Sequence, residues 1–295
     1  MDHVRFLDTP KADHPPLICA FRGWNDGGEA ASVALRFIQE RVGGRVFAHL
    51  DPEEFFDFQV IRPTVRLEGG VTRVIEWPQG DFAIATVDGR DIAMFSSAEP
   101  NNRWRTFAKA IVEVAGRLGS GLLLTLGAFL TDVPHTRTVP VVGSAGDEET
   151  AERLGLRRSR YEGPTGIVGV LHDASLRSGL SSVSLWAAVP HYLPSAPNPK
   201  AALALVRRAC ALLGLDIDTS SLARAADAWE KRVATLLQES GELADYVARL
   251  EAAADRDGVE FRAEESVSGD AIAAELERFL RRHEEGGRAS GDARE

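Results

Sequence analysis

The chain has 295 residues, 44% of them hydrophobic and 26% charged, with a formal net charge of −10. That length buries a sizeable core, one large domain plus an accessory segment, and the composition is that of an ordinary globular protein. The acid excess excludes nucleic acid as the main partner, because phosphate binding needs a basic surface, and no run approaches the ~20 apolar residues of a membrane helix.

Cys19 and Cys210 are the only cysteines. Two distant thiols make neither a disulfide framework nor a metal spacing, which suits a reducing compartment. Residues 1–16 form a polar lead with no apolar segment of the secretory kind. The expected setting is the cytoplasm.

In chain order, a first strand at 17–21 runs into the glycine turn of Gly23, Gly27 and Gly28, then a helix to about residue 42. Ala31, Ala34, Leu35 and Ile38 give that helix its apolar stripe. Asn25 or Asp26 is placed to cap it. A strand–glycine–helix unit can also hold an anion at the helix start. Here the turn matches neither dinucleotide nor P-loop spacing, and Asp26 and Glu29 would repel a phosphate, so the capping role is preferred.

A second strand falls at 45–50, and alternating runs at 64–68 and 71–77 flank Gly69-Gly70 as a hairpin. Strands at 82–87 and 92–96 follow. A polar segment carrying Glu99, Asn101, Arg103 and Arg105 then leads into a helix ending near residue 118. These arginines could grip a carboxylate or phosphate, or simply pair with surface acids.

The central stretch is 121–142. Leu122, Leu123, Leu124, Thr125 and Leu126 read as a strand buried on both faces. The chain leaves it through Asp132, His135, Thr136 and Arg137 before turning apolar again at Val139. An acid, an imidazole and a guanidinium thus follow the carboxyl end of a central strand, where open α/β sheets hold ligands. Asp132 and His135 could orient one another as acid and base, or brace their own turn.

A short helix at 148–154, an apolar run at 167–171 with His172 at its exit, and a buried strand at 182–189 ending before His191 complete the sheet. Prolines mark a boundary at 195–199, and 200–213 is helical. The expected fold is α/β, a three-layer α/β/α sandwich over 17–215 with the hairpin as an antiparallel addition.

Beyond it, Leu222, Ala226, Trp229, Val233, Leu236, Ser240, Leu243, Val247 and Leu250 alternate spacings of four and three, a seam for helix packing. A second amphipathic helix at 272–280 makes 216–284 a helical hairpin extension, packed on the sandwich or on a neighbouring subunit, and 285–295 reads as a disordered tail.

The chain has no G-x-S-x-G elbow, no H-E-x-x-H and no cysteine pair for zinc, so no metal or cofactor is expected. Five blocks carry a resemblance: GWNDGGEAAS at 23–32, EPNNRWR at 99–105, LGAFLTDVPHTR at 126–137, YEGPTGIVGVLHDA at 161–174 and SLWAAVPHYLPSAPNPKA at 184–201. Together they closely resemble the actinobacterial branch of the PAC2 family, the proteasome-assembly-chaperone-2-like proteins, over about residues 17–250. The resemblance implies a phosphorylase/hydrolase-like sandwich, a helical C-terminal extension, a homo-oligomer such as a trimer, and proteasome subunits or another protein as partner. Archaeal members dock through a terminal hydrophobic–tyrosine–any signature, which Ala293, Arg294 and Glu295 do not match.

Two functions follow. One is a non-enzymatic assembly or interaction protein. The other is a small-ligand binder or hydrolase/phosphorylase-like enzyme, with a site drawn from Asn25, Asp26, Glu99, Asn101, Arg103, Asp132, His135 and Arg137 at the strand ends. The missing catalytic motifs favour the first.

Overall fold

A computed structural model describes residues 3–159, 161–193, 197–238 and 241–257. The strands are β1 (Val4–Phe6), β2 (Leu17–Arg22), β3 (Arg45–Leu50), β4 (Thr64–Glu68), β5 (Thr72–Glu76), β6 (Gly80–Val87), β7 (Arg90–Ala98), β8 (Leu122–Thr131), β9 (Val141–Ala145), β10 (Arg157–Arg158) and β11 (Ser181–Pro190). The helices are α1 (Ala30–Arg41), α2 (Trp104–Arg117), α3 (Glu148–Leu154), α4 (Ile167–Arg177), α5 (Pro199–Leu213), α6 (Ser220–Gln238) and α7 (Gly241–Asp257).

Nine strands form one sheet in the order β1-β3-β6-β7-β2-β8-β11-β9-β10. Its centre, β7-β2-β8-β11, is parallel, and antiparallel pairs flank it on both sides. The period of two along β2 sorts its side chains between layers. Ile18 and Ala20 pack with α1 and α5, whereas Leu17, Cys19 and Phe21 pack with α2 and α4. The three-layer sandwich expected from sequence is therefore present.

Local chemistry fixes the element ends. Asn198 accepts a hydrogen bond from the Ala201 amide at 2.9 Å, and Pro199 opens α5, which stops at Gly214 in the left-handed region. Gly127 lets β8 meet β11 closely: a Cβ there would lie 2.5 Å from the Trp186 ring. The strand continues past this glycine to Thr131.

Four expectations need correction. The polar lead contributes β1, which pairs with β3 at the sheet edge. The β4–β5 hairpin forms its own two-stranded sheet instead of extending the large one. Residues 167–171 begin helix α4, so His172 lies within a helix and not at a strand exit. It is half-buried, its Nε2 sits 3.0 Å from Thr125 Oγ1, and desolvation of the ring pushes its pKa down to about 4. Finally, the seam turns Leu237 inward where Leu236 was expected, and Leu236 is exposed.

The extension packs on the sandwich. Leu222 and Ala226 join the layer of α1 and α5, while Trp229, Val233, Leu237 and Val247 form a separate small cluster. Ser240, the second extension helix expected at 272–280 and the tail at 285–295 lie outside the described residues.

Candidate functional site

Because β7, β2, β8 and β11 run parallel, Ala98, Arg22, Thr131 and Pro190 end along one edge of the sheet. All eight residues singled out from sequence leave the sheet there. The structure sorts them into three groups with separate partners.

The first group is Asn25, Asp26 and Glu99. The Asn25 side chain, 1% exposed, donates from Nδ2 to the Phe21 carbonyl at 2.8 Å. Asp26 Oδ1 accepts from the Ala31 and Ser32 amides at 2.7 and 3.2 Å, so it ties down the start of α1 as expected of a cap. Burial raises its pKa, and the bonds from Ser32 and Ala31 partly offset this. Glu99 Oε1 accepts from the Ile167 amide at 2.8 Å, across 68 residues of sequence, and caps α4 in the same manner. With acids answering both helix ends, the glycine turn has no phosphate-binding character.

Asn101 and Arg103 face a different loop. Asn101 Oδ1 accepts from the Asp57 amide at 2.9 Å, and Arg103 pairs with Glu54 on the exposed surface. Arg103 thus pairs with a surface acid.

Asp132, His135 and Arg137 form the third group, and the C-terminal helices take hold of it. Arg137 makes a bidentate pair with Asp255, both bonds 2.8 Å, and reaches Glu251 at 3.3 Å. That pairing holds the Asp255 carboxyl below its usual range. Thr136 also donates to Glu251. Tyr246 donates to Asp132 Oδ1 at 3.1 Å, and His191 Nδ1 lies 2.9 Å from the same oxygen. His135 is buried against Trp229 and Tyr192. The Tyr192 oxygen accepts from the His135 amide at 2.9 Å and lies 2.8 Å from the ring Nδ1. Lys200 donates to the His135 carbonyl at 2.5 Å and pairs with Glu230 at 2.8 Å.

Lys200, Tyr192, Trp229, Tyr246, Glu251 and Asp255 thus belong to this rim, and sequence reasoning did not assign them to it. The heptad seam was the one signal pointing there, through Trp229 and Val247. The ion pairs span up to 118 residues and leave no local trace.

Burial lowers the pKa of His135 from its usual 6.5, while Glu230 opposes the shift. The folded state then resists a proton that the undocked loop would take. The stability of the docked extension is full above pH 6.5 and is lost as pH falls from there through the folded value. One proton limits the effect to about 1.4 kcal/mol per pH unit. Hydrogen exchange of α6 and α7, corrected for intrinsic rates, should therefore quicken between pH 7.5 and 5.5, and His135→Phe should flatten that dependence. Equal pH slopes in the two proteins would place the titration elsewhere.

An open cleft of about 500 Å³ lies at the other end of the sheet, lined by Asp8, Lys11, Arg45, Thr86 and Asp91 among others, and none of the eight candidates borders it. Among the described residues no group of three or more His, Cys, Asp or Glu side chains is arranged to hold a metal ion. No helix among them is long and apolar enough to cross a membrane.

The molecule so defined is an α/β/α sandwich whose carboxyl-end rim is strapped by its own C-terminal helices. It belongs to the PAC2 family, whose model matches residues 20–237. The chain is similar to a PAC2 family protein from Streptomyces avermitilis, with 45% identity, 79% of this chain and 99% of that one covered, and a TM-score of 0.74. It is also similar to a proteasome-assembly chaperone homologue from Mycobacterium tuberculosis, with 41% identity, 78% and 99% coverage, and a TM-score of 0.71. The archaeal proteasome activator PbaB of Pyrococcus furiosus shares the fold at 18% identity, with 79% and 97% coverage and a TM-score of 0.65. A comparison with curated proteins finds no match.

Proposed function

We propose that this chain is a cytoplasmic, non-enzymatic assembly protein that self-associates, as a trimer or another homo-oligomer, and handles proteasome subunits or a comparable partner. The observation that carries this reading is the β4–β5 hairpin. It stands apart from the large sheet, and Val65 sits opposite Ile75 in its register, so these two share a face with Leu67. All three are exposed, and Val71 at the turn is 84% exposed. A lone two-stranded hairpin is marginal in water, and clustered exposed apolar side chains mark interaction surfaces. The relative described as a proteasome-assembly chaperone homologue supports the choice of partner. Most of the candidate rim residues serve contacts within the chain, which weighs against catalysis.

The test combines Val65→Glu, Leu67→Glu and Ile75→Glu, which cost little fold stability because the side chains are already solvated. Sedimentation should show the wild type as an oligomer and the triple variant as a smaller species. Affinity capture from native extract should recover proteasome core subunits with the wild type. A monomeric wild type, or an assembly unmoved by the three charges, overturns the self-association. Capture of the tagged protein alone overturns the partner.

A further inference from the structure

The hairpin reading does not involve the glycine turn after β2, where the structure holds a second feature. A side-chain carbon on Gly166, just before α4, would lie 2.9 Å from Glu99 Oε1, 3.3 Å from the Trp24 ring and 3.4 Å from Asn25 Oδ1. One on Gly23 would lie 3.2 Å from Glu99 Cβ and 3.4 Å from Glu99 Oε2. The Glu99 carboxylate is therefore threaded between two positions without side chains, with Trp24 and Asn25 as neighbours. Gly23 has a φ of +135°, which also favours glycine there.

The chemistry left over at this point is one-sided. Asn25 Nδ2 is committed to Phe21, which fixes the amide orientation, and Oδ1 is buried with no hydrogen-bond partner among the described residues. Asp26 Oδ2, on the next residue, is in the same condition. A buried acceptor left without a donor costs free energy, so each such atom calls for an explanation. Glu99 Oε1 and Asp26 Oδ1 already answer the amides of α4 and α1. What remains is acceptors and negative charge, beside an indole that is 58% exposed.

We propose that Trp24, Asn25 and Glu99 form a subsite for a cationic hydrogen-bond donor, a protonated amine or a guanidinium. Glu99 supplies the counter-charge, Asn25 Oδ1 receives an N–H, and the indole covers the cation with its face. Asn25 Oδ1 is out of reach of solvent, so the exposed Trp24 ring is the wall that moves on entry. The same chemistry could come from a free small amine or from a lysine or arginine side chain of a protein.

Titration with agmatine, acetyl-Gly-Lys-Gly-amide and acetyl-Gly-Arg-Gly-amide, read by tryptophan fluorescence and calorimetry on the full chain, tests this. Saturable binding is expected below about 10 mM. Trp24→Phe should remove the fluorescence response and weaken binding severalfold. Glu99→Gln keeps the oxygen that caps α4 but removes the charge, and should weaken binding at least about tenfold with the melting temperature preserved. Binding of agmatine alone assigns the subsite to small amines, and tighter binding of the peptides assigns it to a protein partner. No saturable binding of any probe, equal binding by Glu99→Gln, or binding of inorganic phosphate in place of the cations overturns the proposal. These readouts are separate from the oligomer size that tests the hairpin.

Discussion

Phe107→Ala is expected to lower the stability of the whole fold by about 3–5 kcal/mol. Phe107 is fully buried on α2, and four phenylalanine rings surround it. Phe55 stands edge-on at 5.3 Å, Phe95 and Phe21 lie at 6.0 and 6.1 Å, and Phe56 at 6.4 Å. Removing the ring deletes its transfer free energy and leaves a cavity that four rigid neighbours fill only in part. Set against a typical total of roughly 5–15 kcal/mol, the loss is large. Thermal and denaturant unfolding should both report it, with Phe107→Leu, a smaller truncation that leaves a smaller cavity, costing less. A loss under about 1 kcal/mol would mean that the layer between sheet and α2 collapses freely, contrary to its aromatic packing.

Trp229→Ala should remove a comparable amount, about 3–5 kcal/mol, but locally. Trp229 is the largest side chain of the small cluster with Val233, Leu237 and Val247, and its ring faces His135 edge-on at 6.3 Å. This cluster is distinct from the two layers that hold the sheet. The variant should therefore keep the melting temperature of the sandwich within a few degrees, while amides of α7 and of the Asp132–Arg137 loop exchange far faster. Protease nicking in the same places would follow. If the whole protein instead melts as one unit at a much lower temperature, the extension is part of the main cooperative core.

What could be seen in the sequence divides along physical lines. β2, β8 and β11 were legible because strands buried on both faces leave predominantly apolar runs, and α1, α2 and α5 because their stripes repeat at helical spacing. α4 was misread because Ile167, Val168, Val170 and Leu171 make a run as short and apolar as a strand. β1 escaped because three residues hold no period. The Leu236-for-Leu237 slip shows a heptad seam losing register by one residue near the end of α6. At the rim, Asp26 could be anticipated as a cap because its amide partners follow within six residues. Glu99 on the Ile167 amide and Arg137 on Asp255 could not, since their partners lie 68 and 118 residues away. Alternate spacings report a helix face, but nothing in them names the loop that the face will meet.

The grip of Asp255 on Arg137 also has a meaning in time. A ribosome adding about 5–20 residues per second needs roughly 6–24 s to travel from the arginine to its aspartate. By then every strand of the sheet has been made. In the last part of that interval, once β11 has been made, Asp132 and Arg137 are still without the α7 partners that later hold them. The strap is therefore made after the sheet whose edge it holds.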